Sequence, residues 1–231
     1  VFAFALVVCL AGIFSLAPLA LYFLWLAVLN RRARPTVVRG GWDFAALCGG
    51  LSGFVLFGGG LLLSLLQSNV RYIFRGNVEA LRAAWGQEQL AWLAVVGAYL
   101  FIVVGGGWLT LTLRRRSLVV YNVEPDAFEA AVAEVFDHLG RPVQRRGNLW
   151  SGPAPLFELE PFPAGKSVSL RWVADDDRLF EEVARLLPPA VADLAPVENP
   201  TARWLTSSSV GILAVVVFFV VVLATSLNFV R

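Results

Sequence analysis

Phe2–Leu29 reads FAFALVVCLAGIFSLAPLALYFLWLAVL, a run without one charged residue and interrupted only by Ser15 and Pro18. A helix rises about 1.5 Å per residue and the hydrocarbon core of a bilayer is about 30 Å thick, so roughly twenty apolar residues suffice to cross it. Three further stretches meet that length, residues 44–66, 90–113 and 207–230, and all are free of charge. An ionised side chain at the bilayer centre costs about 2.5–3.5 kcal/mol. Four charge-free windows in one chain of 231 residues therefore predict an α-helical integral membrane protein with four transmembrane helices. A cleaved signal peptide, or a lipoprotein signal ending at Cys9, needs a basic leading region and a short apolar core. The first stretch has neither and is expected to span the membrane, tilted or kinked at Pro18.

Orientation follows from the arginines. Arg31, Arg32, Arg34 and Arg39 occupy the first loop, Arg114, Arg115 and Arg116 end the third span, and Arg203 precedes the fourth. A four-span arrangement puts these on one side and Arg71, Arg75, Arg82 and Arg231 on the other. The positive-inside rule then places the first loop and the polar block in the cytoplasm and both termini outside, with the loop and helix-end arginines as topology anchors. Arginine outnumbers lysine 18 to 1, the usage of a GC-rich bacterial genome, so the expected location is a bacterial inner membrane. Trp25, Trp42, Trp85, Trp92 and Trp204 lie near span ends, where indole rings favour the interface.

The chain divides into residues 1–116 with three spans, a polar block at 117–206, and a last span at 207–231. The block reads as a small folded domain. Leu118 to Val123 alternates as a strand, and Pro125 opens a helix whose Phe128, Ala131, Val132, Val135, Phe136 and Leu139 recur at offsets of three and four up to Gly140. Strands are expected at Val143–Arg146, Leu149–Ser151, Leu156–Glu160 and Ser167–Val173, with a turn at Gly147-Asn148 and a hairpin loop at 161–165. Asp176 or Asp177 can cap a second amphipathic helix carrying Leu179, Phe180, Val183, Leu186 and Leu187, which Pro188-Pro189 should stop. That order predicts an α+β two-layer domain, with ferredoxin-like topology as one arrangement.

Residues 117–206 carry 8 basic and 14 acidic side chains, whereas residues 1–116 carry 10 basic and 3 acidic. An acidic domain does not seek anionic lipid or nucleic acid. It is either a solvated surface or a surface that docks onto its own basic first loop or a basic partner. Between the second and third spans, Val70, Ile73, Phe74, Val78, Leu81 and Trp85 fall near helical spacing, as an interfacial helix would place them.

Small residues punctuate the spans. Gly49 and Gly53 have a G-x-x-x-G spacing, and triplets occur at Gly58, Gly59, Gly60 and at Gly105, Gly106, Gly107. Such faces let helices approach closely and form the expected helix-packing interface. Catalytic chemistry has little to draw on. His138 is the one histidine and is expected on a solvated helix face, Cys9 and Cys48 lie in spans, and Asp175 to Asp177 suit a helix cap better than a cation loop. No cofactor or metal motif can be drawn from these residues, and the chain is not expected to be an enzyme. The expectation is a structural subunit or assembly factor of a larger membrane complex, its partners the lipid bilayer and other integral membrane subunits. A small transporter, with Ser52, Ser64, Thr110 and Thr112 lining a path, and a sensor or enzyme acting through the cytoplasmic domain are the alternatives.

Overall fold

A computed structural model of the chain describes residues 2–32, 34–59, 78–195 and 199–228. Its elements in order are α1 (Phe2–Asn30), β1 (Thr36–Arg39), α2 (Gly40–Gly53) continued by a π-helical turn (Phe54–Gly58), α3 (Val78–Arg114), β2 (Ser117–Tyr121), α4 (Pro125–His138), β3 (Gln144–Arg146), β4 (Leu149–Ser151), β5 (Pro155–Phe162), a 3₁₀ turn (Pro163–Gly165), β6 (Ser167–Trp172), α5 (Asp177–Ala192) and α6 (Thr201–Asn228). Among the described residues four helices are long and apolar enough to cross a membrane, over Leu6–Asn30, Gly40–Phe57, Gln89–Arg114 and Thr201–Asn228. Two compact units result: residues 1–23, 47–109 and 207–231 form the first, and residues 24–46 and 110–206 the second.

In the first unit α1 meets α2 and α6 closely. A Cβ at Gly53 would strike the Phe14 carbonyl oxygen and lie 2.5 Å from Ser15 Cα, so only glycine permits this approach of two backbones. A Cβ at Gly12 would lie 2.6 Å from the Phe219 ring. The fully buried Ser209 hydroxyl donates to the Ala20 carbonyl at 2.8 Å, joining α6 to α1. The fourth charge-free stretch starts at residue 207, and the helix that contains it begins at Thr201, about two turns earlier. With 37 residues, α3 is about 55 Å long, well beyond the apolar core it would cross. Residues 78–85, expected in a separate interfacial helix, are its first turns; the rest of that expected helix, at 70–77, lies outside the described residues.

The second unit holds a six-stranded sheet of order β1-β2-β6-β5-β4-β3, every pair antiparallel. The ferredoxin-like expectation is corrected here. Ferredoxin-like topology has a strand after each of its two helices and a single strand inserted between the two that the first helix joins, whereas here three strands separate β2 from β3 and no strand follows α5. Here α4 carries the chain from β2 to the far edge, and β3 to β6 return as a meander that ends beside β2. Register sets the core: Leu118 opposes Leu170, Val120 opposes Val168, Leu159 opposes Leu170 and Phe157 opposes Trp172, all on one face. Against them α4 lays Phe128, Ala131, Val132, Val135 and Phe136, and α5 lays Leu179, Phe180, Val183, Leu187 and Val191. Phe157 stacks between Phe136 and Trp150 at centroid distances of 5.2 and 5.6 Å. The indole N–H groups of Trp150 and Trp172 have no partner among the described residues, an exception to the rule that buried donors are paired. On the opposite face Glu158 opposes and pairs with Arg171.

Helix α5 does not stop at Pro188-Pro189 but runs one turn further to Ala192. Two prolines forfeit backbone bonds to the preceding turn. Leu187 and Val191, both fully buried, continue the apolar stripe across them, and that burial offsets the loss. Leu186, placed in the stripe by sequence, is half-exposed, because the stripe passes from Val183 to Leu187. Asp176 caps the helix, accepting from the Leu179 N–H at 3.0 Å.

That hydrogen bond holds the Asp176 carboxyl below its ordinary range; desolvation opposes it, and the nearby Arg141 guanidinium adds to the lowering. A depressed folded-state value gives stability that is present above the ordinary Asp range and lost as pH falls through the folded value. Asp176→Ala should therefore lower the unfolding midpoint of the detergent-solubilised chain at neutral pH, and the gap from the parent should close on acidification; a pH-independent gap would refute the charged cap. Phe157→Ala should cost about 3–5 kcal/mol in denaturant unfolding followed by tryptophan fluorescence. A cost below about 1 kcal/mol would mean that the aromatic stack is not the core of this unit.

Candidate functional site at the helix ends

The connection between α1 and α2, read from the sequence as a basic loop, contributes a strand. Thr36, Val37, Val38 and Arg39 pair antiparallel with Tyr121, Val120, Val119 and Leu118. Val37 packs against the core beside Val120, and Arg39 reaches Glu181 of α5 at 2.8 Å. The acidic domain thus does engage its own first loop, through backbone pairing more than through charge.

Three asparagines lie beside this strand. Asn30 ends α1, Asn122 follows β2 and Asn199 precedes α6; each is at most 9 % exposed. Asn122 has φ 59°, a left-handed conformation that asparagine tolerates better than most side chains. Its Nδ2 donates to the carbonyls of Leu29 and Arg32, at 2.8 and 3.0 Å, where α1 unwinds. Asn199 Nδ2 faces three acceptors, Asn30 Oδ1 at 2.6 Å, the Gly165 carbonyl at 3.0 Å and Asn122 Oδ1 at 3.3 Å. Its Oδ1 accepts from the Thr201 N–H at 3.1 Å, capping the α6 N-terminus and fixing where that helix begins. Thr201 Oγ1 donates to Ala164, and the Val123 N–H donates to the Lys166 carbonyl, so the β5–β6 turn joins the same cluster.

A second set of contacts holds the start of α2. The Tyr121 hydroxyl donates to Asp43 Oδ1 at 2.5 Å. A Cβ at Gly40 would strike Ser117 Oγ, which itself donates to the Arg114 carbonyl at 2.7 Å. Glycine at 40 is thus a condition of the approach of α2 to the link between α3 and β2.

The consecutive arginines at the end of α3 serve three different ends. The Arg114 guanidinium carbon lies 5.4 Å from the Phe44 ring centroid, a cation–π arrangement. Arg116 donates to Asp175 at 3.1 Å, and its Nε lies 2.6 Å from Asp177 Oδ1. The Asp175 bond, with Asp177 adding to it and desolvation opposing, holds Arg116 above the ordinary arginine range. The Arg115 side chain makes no hydrogen bond or ion pair among the described residues and lines a cavity with Arg39 and Trp42. The side chains of Arg31, Arg32 and Arg34 also carry no such bond among the described residues.

The expected packing glycines separate into two groups. Gly53 faces α1, and Gly59 faces the ring of Tyr99, whose hydroxyl donates to the Val55 carbonyl of the π-helical turn at 2.6 Å. At Gly49, Gly105, Gly106 and Gly107 a Cβ would meet nothing within 4 Å. Gly58 closes the π-helical turn, and Gly60 lies outside the described residues, as does Ser64. Ser52 donates to the carbonyl of Gly49 in its own helix. His138 is exposed and bonds the Glu134 carbonyl, as a solvated helix-face histidine would. Among the described residues no three His, Cys, Asp or Glu side chains gather as metal ligands would.

Sequence reasoning missed the asparagines. The one signal was Asn199-Pro200-Thr201, a cap followed by proline at a helix start. Comparison of the chain with protein-family models, with curated proteins and with solved structures yields no match.

Asn199→Leu strands several buried acceptors and one helix-end N–H, at about 1–3 kcal/mol for each group left unpaired. Denaturant unfolding of the full chain should show that loss, and the Thr201 amide should exchange faster with solvent. Parental stability with parental exchange would show that the cluster holds nothing together.

Proposed function

We propose that this chain is a non-catalytic subunit or assembly factor of a larger membrane protein complex. Its four apolar helices cross a bacterial inner membrane, its first loop and sheet domain lie in the cytoplasm, and Phe2 of α1 and Asn228 of α6 lie on the other side. The observation that carries the reading is the division among the glycines. Gly53 and Gly59 are used within the chain, while Gly49 on α2 and Gly105 and Gly107 on α3 open onto space that no part of the described chain fills. In lipid, where apolar burial gives helices no reason to associate, glycine is favoured where a neighbouring backbone comes close. Open glycines on helices long enough to span therefore suit other transmembrane subunits.

The cytoplasmic placement is supported by Arg31, Arg32, Arg34, Arg39, Arg114, Arg115, Arg116 and Arg203, which all belong to the compact unit that contains the sheet. The strand pairing of β1 and the asparagine cluster join that sheet to the helix ends. A domain fixed in this way acts by position, presenting a surface at a set place beside its partners.

Mild-detergent extraction of the native membrane, followed by mass measurement and identification of what co-migrates, tests the reading. Co-migration with other integral membrane subunits is expected. Gly49→Leu should insert and fold yet leave the particle smaller, whereas Gly53→Leu should destabilise the chain itself through collision with α1. A particle containing this chain alone, unaltered by Gly49→Leu, would contradict the proposal.

A further inference from the structure

We infer that the cavity between the start of α2 and the end of α3 binds the phosphate-bearing headgroup of an anionic phospholipid. The cavity measures about 310 Å³ and is lined by Arg39, Gly41, Trp42, Ala45, Leu111 and Arg115. That is near the lower end of the usual range for small-molecule sites, about 300–1,000 Å³. Of the arginines that end α3, Arg114 is committed to Phe44 and Arg116 to Asp175 and Asp177, which leaves Arg115 to the cavity. Arg39 gives one nitrogen, Nη2, to Glu181, so that carboxylate offsets part of its charge and Arg115 is the principal cation. Asp43, the acidic residue in the first turn of α2, is engaged by the Tyr121 hydroxyl.

The lining is amphipathic along the helix axes. Ala45 lies one turn into α2 from Trp42, and Leu111 lies one turn into α3 from Arg115 just past its end, so each helix carries an aliphatic residue deeper in the span than its indole or guanidinium. Trp42 is 74 % exposed, although a free indole in water gains nothing from that position. A phosphodiester between the two guanidinium groups, with acyl chains along Ala45 and Leu111 and the indole at headgroup depth, satisfies charge and apolar surface together. A small soluble anion would leave Trp42, Ala45 and Leu111 uncovered. The inference rests on the membrane reading of the four helices and does not depend on any protein partner.

The test uses the full chain purified in a neutral detergent, with native mass spectrometry of retained phosphatidylglycerol and phosphatidylcholine, thermal unfolding with each lipid or with inorganic phosphate, and incorporation into bilayers of either lipid. Phosphatidylglycerol should be retained over phosphatidylcholine and should raise the unfolding midpoint, and inorganic phosphate should do neither. Arg115→Gln should weaken phosphatidylglycerol retention about fivefold, while Arg146→Gln, the same charge change on β3, should leave it intact. Equal retention of the two lipids by a chain that incorporates into bilayers would overturn the headgroup site while sparing the membrane reading. Stabilisation by inorganic phosphate equal to that by phosphatidylglycerol would overturn the lipid assignment. Failure to incorporate into any bilayer would overturn both.

Discussion

Where α1 ends and where α6 begins, the chain has backbone groups that the helix no longer pairs. Three asparagines meet that requirement. Asn122 takes the Leu29 and Arg32 carbonyls at the end of α1, and Asn199 caps Thr201 at the start of α6 while donating to Asn30 and Gly165. An amide side chain suits the task because it donates and accepts at once and carries no charge. A lysine or aspartate here would add a desolvation cost that nothing among its neighbours offsets. The positions at which α1 ends and α6 begins follow from this network, and so does the left-handed turn that releases the chain from β2 into α4.

Strand β1 completes the junction by a different means. An unpaired sheet edge presents open backbone groups to any passing strand. Along β2, that edge is covered by four residues from the connection between two apolar helices. Pairing of this kind fixes direction and register as well as proximity. Together with Tyr121 on Asp43 and Arg39 on Glu181, it joins the start of α2 to both layers of the domain. Around this frame the three arginines at the end of α3 have separate structural uses, one on an aromatic ring, one on carboxylates and one in a cavity. The positional role proposed above suits such a frame, because a fixed relation between helix ends and a sheet surface is what it would offer to neighbouring subunits.

The sequence was legible where physical periods are long. The four apolar runs, the α4 stripe from Phe128 to Phe136 and the Asp176 cap can be read from local pattern alone, since each rests on contacts within a few turns. Strand β1 could not be read that way. TVVR between Pro35 and Gly40 is too short for alternation to register, and its pairing depends on β2, some eighty residues later. The asparagine network is less local still: Asn30 and Asn199 are 169 positions apart, and Asn122 and Asn199 are 77 apart. Nor does spacing distinguish Gly49 from Gly53. Both belong to one G-x-x-x-G, yet only the second meets α1, because whether a helix face is covered is settled by tertiary packing. The run of α5 through Pro188-Pro189 shows the same priority of burial over local preference.

Folding of the helix ends and the sheet as one junction is open to measurement by residue-resolved hydrogen exchange at residues 36–39 of the full chain in detergent. Pairing with β2 predicts that the alternate amides of this short segment, those aimed at β2, exchange as slowly as amides within β2 itself, and that their protection falls together with that of β2 as denaturant is raised. Free exchange at all four positions while β2 stays protected would mean that the segment is a connector and that no such junction forms.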